Sequence, residues 1–173
     1  MRHGFRTDGA SIYLLGQTRD ELDGSQWAHV MHDHLGGRPP KVDLARERVL
    51  AEVLHAAAQA ELLDSAHDIS DGGLAQTLVE SCLAGGVGAE ITLAPGLDPF
   101  VALFSESSAR VVVSVSPQRE DEFVARCTEA GLPQQRIGRT DVLVAELVVT
   151  DQFRIDLDEL RERSTATFPA LFG

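Results

Sequence analysis

One segment, Ala66-His67-Asp68-Ile69-Ser70-Asp71-Gly72-Gly73-Leu74-Ala75, constrains this chain more than any other. It sets two carboxylates, a hydroxyl and an imidazole at the end of a short strand, and a glycine pair then opens a helix. A helix N-terminus carries unpaired N–H groups and a partial positive charge, so it can seat an anion. Adjacent carboxylates repel a bare phosphate unless a divalent cation lies between. The corner therefore points to metal-bridged phosphate or nucleotide binding, and it forces a strand–turn–helix at this place in the fold.

Around that corner, strands and helices alternate. Ser11–Leu15 reads as a strand, Ser25–Leu35 as a short helix and Val42–Leu63 as a long amphipathic one. Asp64–Ser70 leads into the corner, and Gly73–Ala84 follows as a largely apolar helix stopped by Gly85-Gly86. Gly88–Leu93, the apolar run Phe100–Phe104 and Arg110–Ser116 read as extended. Gln118–Ala130 reads as a helix. Three consecutive strands, Gln135–Thr140, Val142–Thr150 and Gln152–Ile155, precede a terminal helix at Asp156–Arg163 and an apolar tail, Phe168–Gly173. The pattern predicts an α/β (α+β) domain: a two-layer mixed β-sheet with helices packed on one face. Residues 1–10 read as a leader, and 11–173 as a single domain, which 173 residues can support with one core.

A formal charge of −12, one Trp and one Tyr argue against nucleic acid and anionic membranes as partners. Cys82 and Cys127 both fall in predicted helices, which suits a reducing compartment, and the cytoplasm is the expected location. Neither a P-loop nor a Gly-x-Ser-x-Gly elbow is present.

Within the corner, Ser70 or Asp71 also suits an N-cap, worth about 1 kcal/mol. Capping leaves Asp68 and the glycine pair unexplained. Asp68 is the expected metal ligand, and Gly72-Gly73 suggests close approach of a ligand to the backbone. A second polar segment, Phe104-Ser105-Glu106-Ser107-Ser108-Ala109-Arg110, fits either an ordinary turn or a site in which Glu106 joins Asp68 at a cation. His29 and His32 are one helical turn apart and His34 follows, but the group lacks a convincing fourth ligand, and a solvated helix face accounts for them.

HDISDGGLA at 67–75, FSESSAR at 104–110, GQT at 16–18 and TATFPALFG at 165–173 resemble the C-terminal domain of the phosphoribosylformylglycinamidine synthase family. The likeness runs from Ser11 to Gly173. It implies a fold like the C-terminal domain of aminoimidazole ribonucleotide synthetase, within a superfamily that includes selenophosphate synthetase and thiamine-monophosphate kinase. It further implies an ATP-dependent C–N ligase of purine biosynthesis, acting on formylglycinamide ribonucleotide and glutamine-derived ammonia, with the isolated domain inactive.

By the same resemblance, Asp68 would offer a ligand to Mg²⁺. Ser70, Asp71, Gly72, Gly73, Ser105, Glu106 and Ser107 would bind ATP/ADP or substrate, and no catalytic residue is assigned. Implied partners are the remaining domains of the same chain, a glutaminase subunit and a small bridging subunit. Two alternatives stay open: a domain of another superfamily enzyme, of aminoimidazole ribonucleotide or selenophosphate synthetase type, and a ligand-free scaffold module.

Overall fold

The computed structural model describes residues 2–166, so the apolar tail lies outside the described residues. In chain order the elements are β1 (Ser11–Leu15), α1 (Gln26–His32), α2 (Leu44–Gln59), β2 (Ser65–Asp68), α3 (Gly73–Gly85), β3 (Gly88–Ile91) and α4 (Pro99–Phe104). They continue with β4 (Val111–Val115), a 3₁₀ turn at Pro117–Arg119, α5 (Glu120–Glu129), β5 (Gln134–Asp141), β6 (Glu146–Val149), β7 (Phe153–Asp156) and α6 (Leu157–Thr165). The strands form one sheet in the order β2-β4-β1-β5-β3-β6-β7. Among the described residues only β3 and β6 run parallel; the other neighbours are antiparallel. The mixed α/β sheet expected from the sequence is present.

The helices, however, cover both faces of the sheet and not one. Ile12 and Leu14 of β1 pack with Leu74 and Leu78 of α3, Leu103 of α4 and Leu157 of α6. Tyr13 and Leu15, on the opposite face of the same strand, pack with Leu50 and Val53 of α2 and Phe123 of α5. Every residue of β1 and of β4 is buried, as a strand covered on both sides requires. Each fully buried large side chain there, Phe123 for example, contributes about 2–3 kcal/mol by leaving water.

Phe100–Phe104 is helical, not extended. Asp98 accepts the N–H groups of Phe100 and Val101 and Pro99 occupies the first turn, so a capped N-terminus overrides the aromatic and β-branched propensity of this short run. α2 begins at Leu44 because the Asp43 carboxylate accepts from Ala45 and Arg46 at 3.1 and 3.2 Å. The segment expected as a leader packs onto the domain. Phe5 is fully buried in the first core, its N–H donates to the Ser81 carbonyl at 2.9 Å, and the Ala66 N–H donates to the Arg2 carbonyl at 2.9 Å. Among the described residues, no helix is long and apolar enough to cross a membrane.

Candidate functional site

β2 delivers Asp68 to the sheet edge with its side chain 73% exposed. The next residue, Ile69, is buried, and its N–H donates to the Arg110 carbonyl at 3.1 Å, which fastens the corner to the start of β4. Ser70 and Asp71 are exposed, and the Ser70 carbonyl accepts the Gly73 N–H at 3.0 Å. His67 turns to α3: its Nε2 lies 3.0 Å from the Glu80 carboxylate and its Nδ1 2.9 Å from the Asp68 carbonyl.

The glycine pair serves the fold itself. Gly72 and Gly73 have φ of 80° and 65°, a region that L side chains enter at a cost. A Cβ on Gly73 would lie 2.7 Å from the carbonyl oxygens of both Leu103 and Ser105. The chain's own backbone at the end of α4 makes the close approach that the sequence suggested for a ligand.

The expected anion seat is also filled from within. One oxygen of Glu106, Oε1, accepts the Gly72 N–H at 2.7 Å and the Gln26 N–H at 2.8 Å. A single carboxylate thereby serves the starts of α3 and α1, where the helix dipoles favour negative charge. Glu106 is accordingly poorly placed to join Asp68 at a cation. It lines the cleft as a positioning group.

Ser105 and Ser107, expected to meet a ligand, are fully buried. The Ser105 hydroxyl donates to the Arg19 carbonyl at 2.6 Å and lies 3.1 Å from the Ser107 hydroxyl, which accepts the Arg19 N–H at 3.0 Å. Arg110, 2% exposed, donates to the Ser107 carbonyl at 2.8 Å, to the Thr18 hydroxyl at 2.9 Å and to the Ser105 carbonyl at 2.5 Å. Burial pushes its guanidinium down to about 10, with Glu21 and Glu106 opposing the shift, so it stays charged at neutral pH. Thr18 of the Gly16-Gln17-Thr18 motif is thus part of the scaffold behind the site. Partial burial works to raise the Glu21 carboxyl, but the Ser107 hydroxyl, the Lys41 N–H and the Arg19 and Arg110 guanidiniums outweigh it and hold the group below its usual value.

What remains open is a cleft of about 410 Å³ lined by Asp68, Ser70, Asp71, Glu106, Glu47 and Arg110, among others. Glu47 and the rim residue Pro40 were not singled out from sequence. On α2, Glu47 looks like any polar surface position, and no local signal marks it. Among the described residues four carboxylates face this cleft, and the one cationic side chain lining it, Arg110, is spent on carbonyls and a hydroxyl.

With the geometry in view, comparison places the chain. A family model described as "AIR synthase related protein, C-terminal domain" matches residues 7–142. The chain belongs to that family. Over 170 residues it is 54% identical to the phosphoribosylformylglycinamidine synthase subunit PurL of Frankia casuarinae, an alignment covering 98% of this chain and 22% of the relative. The corresponding protein of Streptomyces coelicolor is 51% identical over 169 residues, again 98% of this chain and 22% of the relative. The chain thus spans 22% of the length of these curated relatives. Thermotoga maritima PurL complexed with FGAR shares the fold, with a TM-score of 0.79 at 20% identity over 92% of this chain and 29% of that one. The same Thermotoga protein has been solved complexed with ATP, and a PurLQS structure exists.

For a member of this family, the donor set at the corner suits a hard divalent cation held by few protein ligands. Mg²⁺ commonly takes one or two carboxylates and completes its shell with water and phosphate oxygens. Asp68 and Asp71, both exposed at the cleft, fit that mode. Among the described residues, no group of three or more His, Cys, Asp and Glu side chains forms a preassembled metal cage.

Proposed function

We propose that this chain is the C-terminal domain of a longer phosphoribosylformylglycinamidine synthase chain, and that its corner binds the phosphate of a nucleotide or substrate through Mg²⁺. The observation that carries the reading is 54% identity to the Frankia subunit along 98% of this chain. The open, carboxylate-lined cleft at the motif is consistent with it. The reaction so assigned joins formylglycinamide ribonucleotide, ATP and glutamine-derived ammonia. The amide oxygen takes the terminal phosphoryl group of ATP, ammonia adds to the activated carbon, and phosphate leaves to give the amidine, ADP and inorganic phosphate.

In this reading the domain binds and positions, and none of its side chains acts on the reacting atoms. Asp68, with Asp71, holds Mg²⁺, which neutralises phosphate oxygens that the four carboxylates would otherwise repel. Ser70 borders the phosphate, while the Gly72 and Gly73 N–H groups stay engaged by Glu106 and the Ser70 carbonyl and shape the corner from within. Ser105 and Ser107 set the shape of the opposite wall from behind, and Glu106 orients the starts of α1 and α3. The proposed domain unit takes in the segment before residue 11 as well, because Phe5 belongs to its core. Its partners are the other domains of the same chain, a glutaminase subunit and a small bridging subunit, a set for which the Thermotoga PurLQS structure is a precedent. The cytoplasm is the proposed compartment.

The test uses the longer chain. ADP with MgCl₂ should raise its Tm, and Asp68→Asn should remove at least half of the rise. The unaltered longer chain should restore growth without purines to a strain lacking the synthase, and failure to do so overturns the assignment.

A further inference from the structure

We propose that residues 30–44, the excursion from α1 to the start of α2, dock the remainder of the longer chain beside the Asp68 cleft. The inference rests on the reading above. Val30, Met31, Leu35, Val42 and Leu44 are five of the eight large apolar side chains exposed among the described residues, and Leu44 is 78% exposed. Scattered exposed apolar residues are ordinary, but concentration on one excursion marks a contact surface.

The excursion is fixed to the body, as a docking surface must be. The Gln26 N–H at the start of α1 binds Glu106, the Arg38 N–H donates to the Asp23 carboxylate at 3.0 Å, and the Lys41 N–H donates to the Glu21 carboxylate at 3.0 Å. The Lys41 carbonyl accepts the Ser108 hydroxyl at 3.0 Å. Pro40, within the excursion, lines the cleft itself, so a body seated here stands against the open side of the acidic corner.

The occupant follows from length and charge. Because the chain spans 22% of its relatives, a chain of their kind holds far more polypeptide outside this domain than within it. A second copy is disfavoured, since each copy carries −12 and two would repel.

The experiment is thiol labelling of the longer chain with a maleimide, comparing Leu44→Cys and Met31→Cys with Gln152→Cys. Gln152 is exposed on the β6–β7 turn, at the edge of the sheet opposite β2. The native thiols of this domain, Cys82 and Cys127, are buried and pushed up to about 12 and about 11, so they stay silent. Each rate is taken relative to the same variant in denaturant. Labelling at 31 and 44 should be at least about tenfold slower than at 152, because it waits for local opening. Labelling at 44 as fast as at 152 overturns the proposal. So does protection that vanishes on dilution, which would assign the face to a second copy. Purine-independent growth of the same strains separates this outcome from the functional reading. An active longer chain with an unprotected Leu44→Cys defeats the docking surface alone.

Discussion

Across the cleft, two polar stretches face each other in different states. At the β2–α3 corner, Asp68, Ser70 and Asp71 stand exposed. In the 105–110 loop, Ser105, Ser107 and Arg110 are buried and Glu106 is committed to two backbone N–H groups. Both stretches are Ser- and acid-rich in sequence. One wall remains free for a ligand, and the other has spent its polar groups on the fold. A buried polar group must find a partner on folding, so the serines that look most like ligand contacts become the strongest structural ties, and the exposed carboxylates keep their capacity.

That contrast predicts a graded series of substitutions. Gly73→Ala should be the most damaging, by about 3–4 kcal/mol in urea denaturation. It forces a Cβ to 2.7 Å from two carbonyl oxygens at a positive φ. A loss under 1 kcal/mol would show that the α4 end yields easily. Arg110→Met should cost about 3 kcal/mol in the same assay by orphaning two buried carbonyls and a hydroxyl. Glu106→Ala should cost about 2 kcal/mol and Glu106→Gln clearly less, since the amide oxygen can still accept from Gly72 and Gln26.

Asp68→Asn should change stability by no more than about 0.5 kcal/mol, as expected for an exposed side chain. A larger loss would move Asp68 to the structural wall. The smallest effect is in pH dependence. The folded Glu21 carboxyl lies below its unfolded value of 4.5. It therefore stabilises the fold above that pH, and the contribution is lost as pH falls through the folded value. Glu21→Gln should flatten that limb of the acid denaturation curve and leave its neutral part parallel to the unaltered chain.

The corner was legible because its signals are local: carboxylates at a strand end, then glycines, then an apolar helix face. Helix placement on both sides of the sheet was also encoded, in the absence of apolar–polar alternation along β1 and β4, yet interleaving alone suggested one covered face. α4 was hidden because five apolar residues carry no usable period, although Asp98-Pro99 announces a helix start. The fate of Ser105 and Ser107 was not readable at all. Their partner is the backbone of Arg19, 86 and 88 positions away, and main-chain partners leave no trace in side-chain identity.

The single oxygen shared by α1 and α3 has a consequence for synthesis. Gln26 and Gly72 precede Glu106 by 80 and 34 residues, so both helix starts leave the ribosome well before their common acceptor. Until residue 106 emerges, each helix lacks this tether, and the two cannot take up their mutual orientation through it. Completion of the corner is thus timed by translation of a stretch that lies in neither helix.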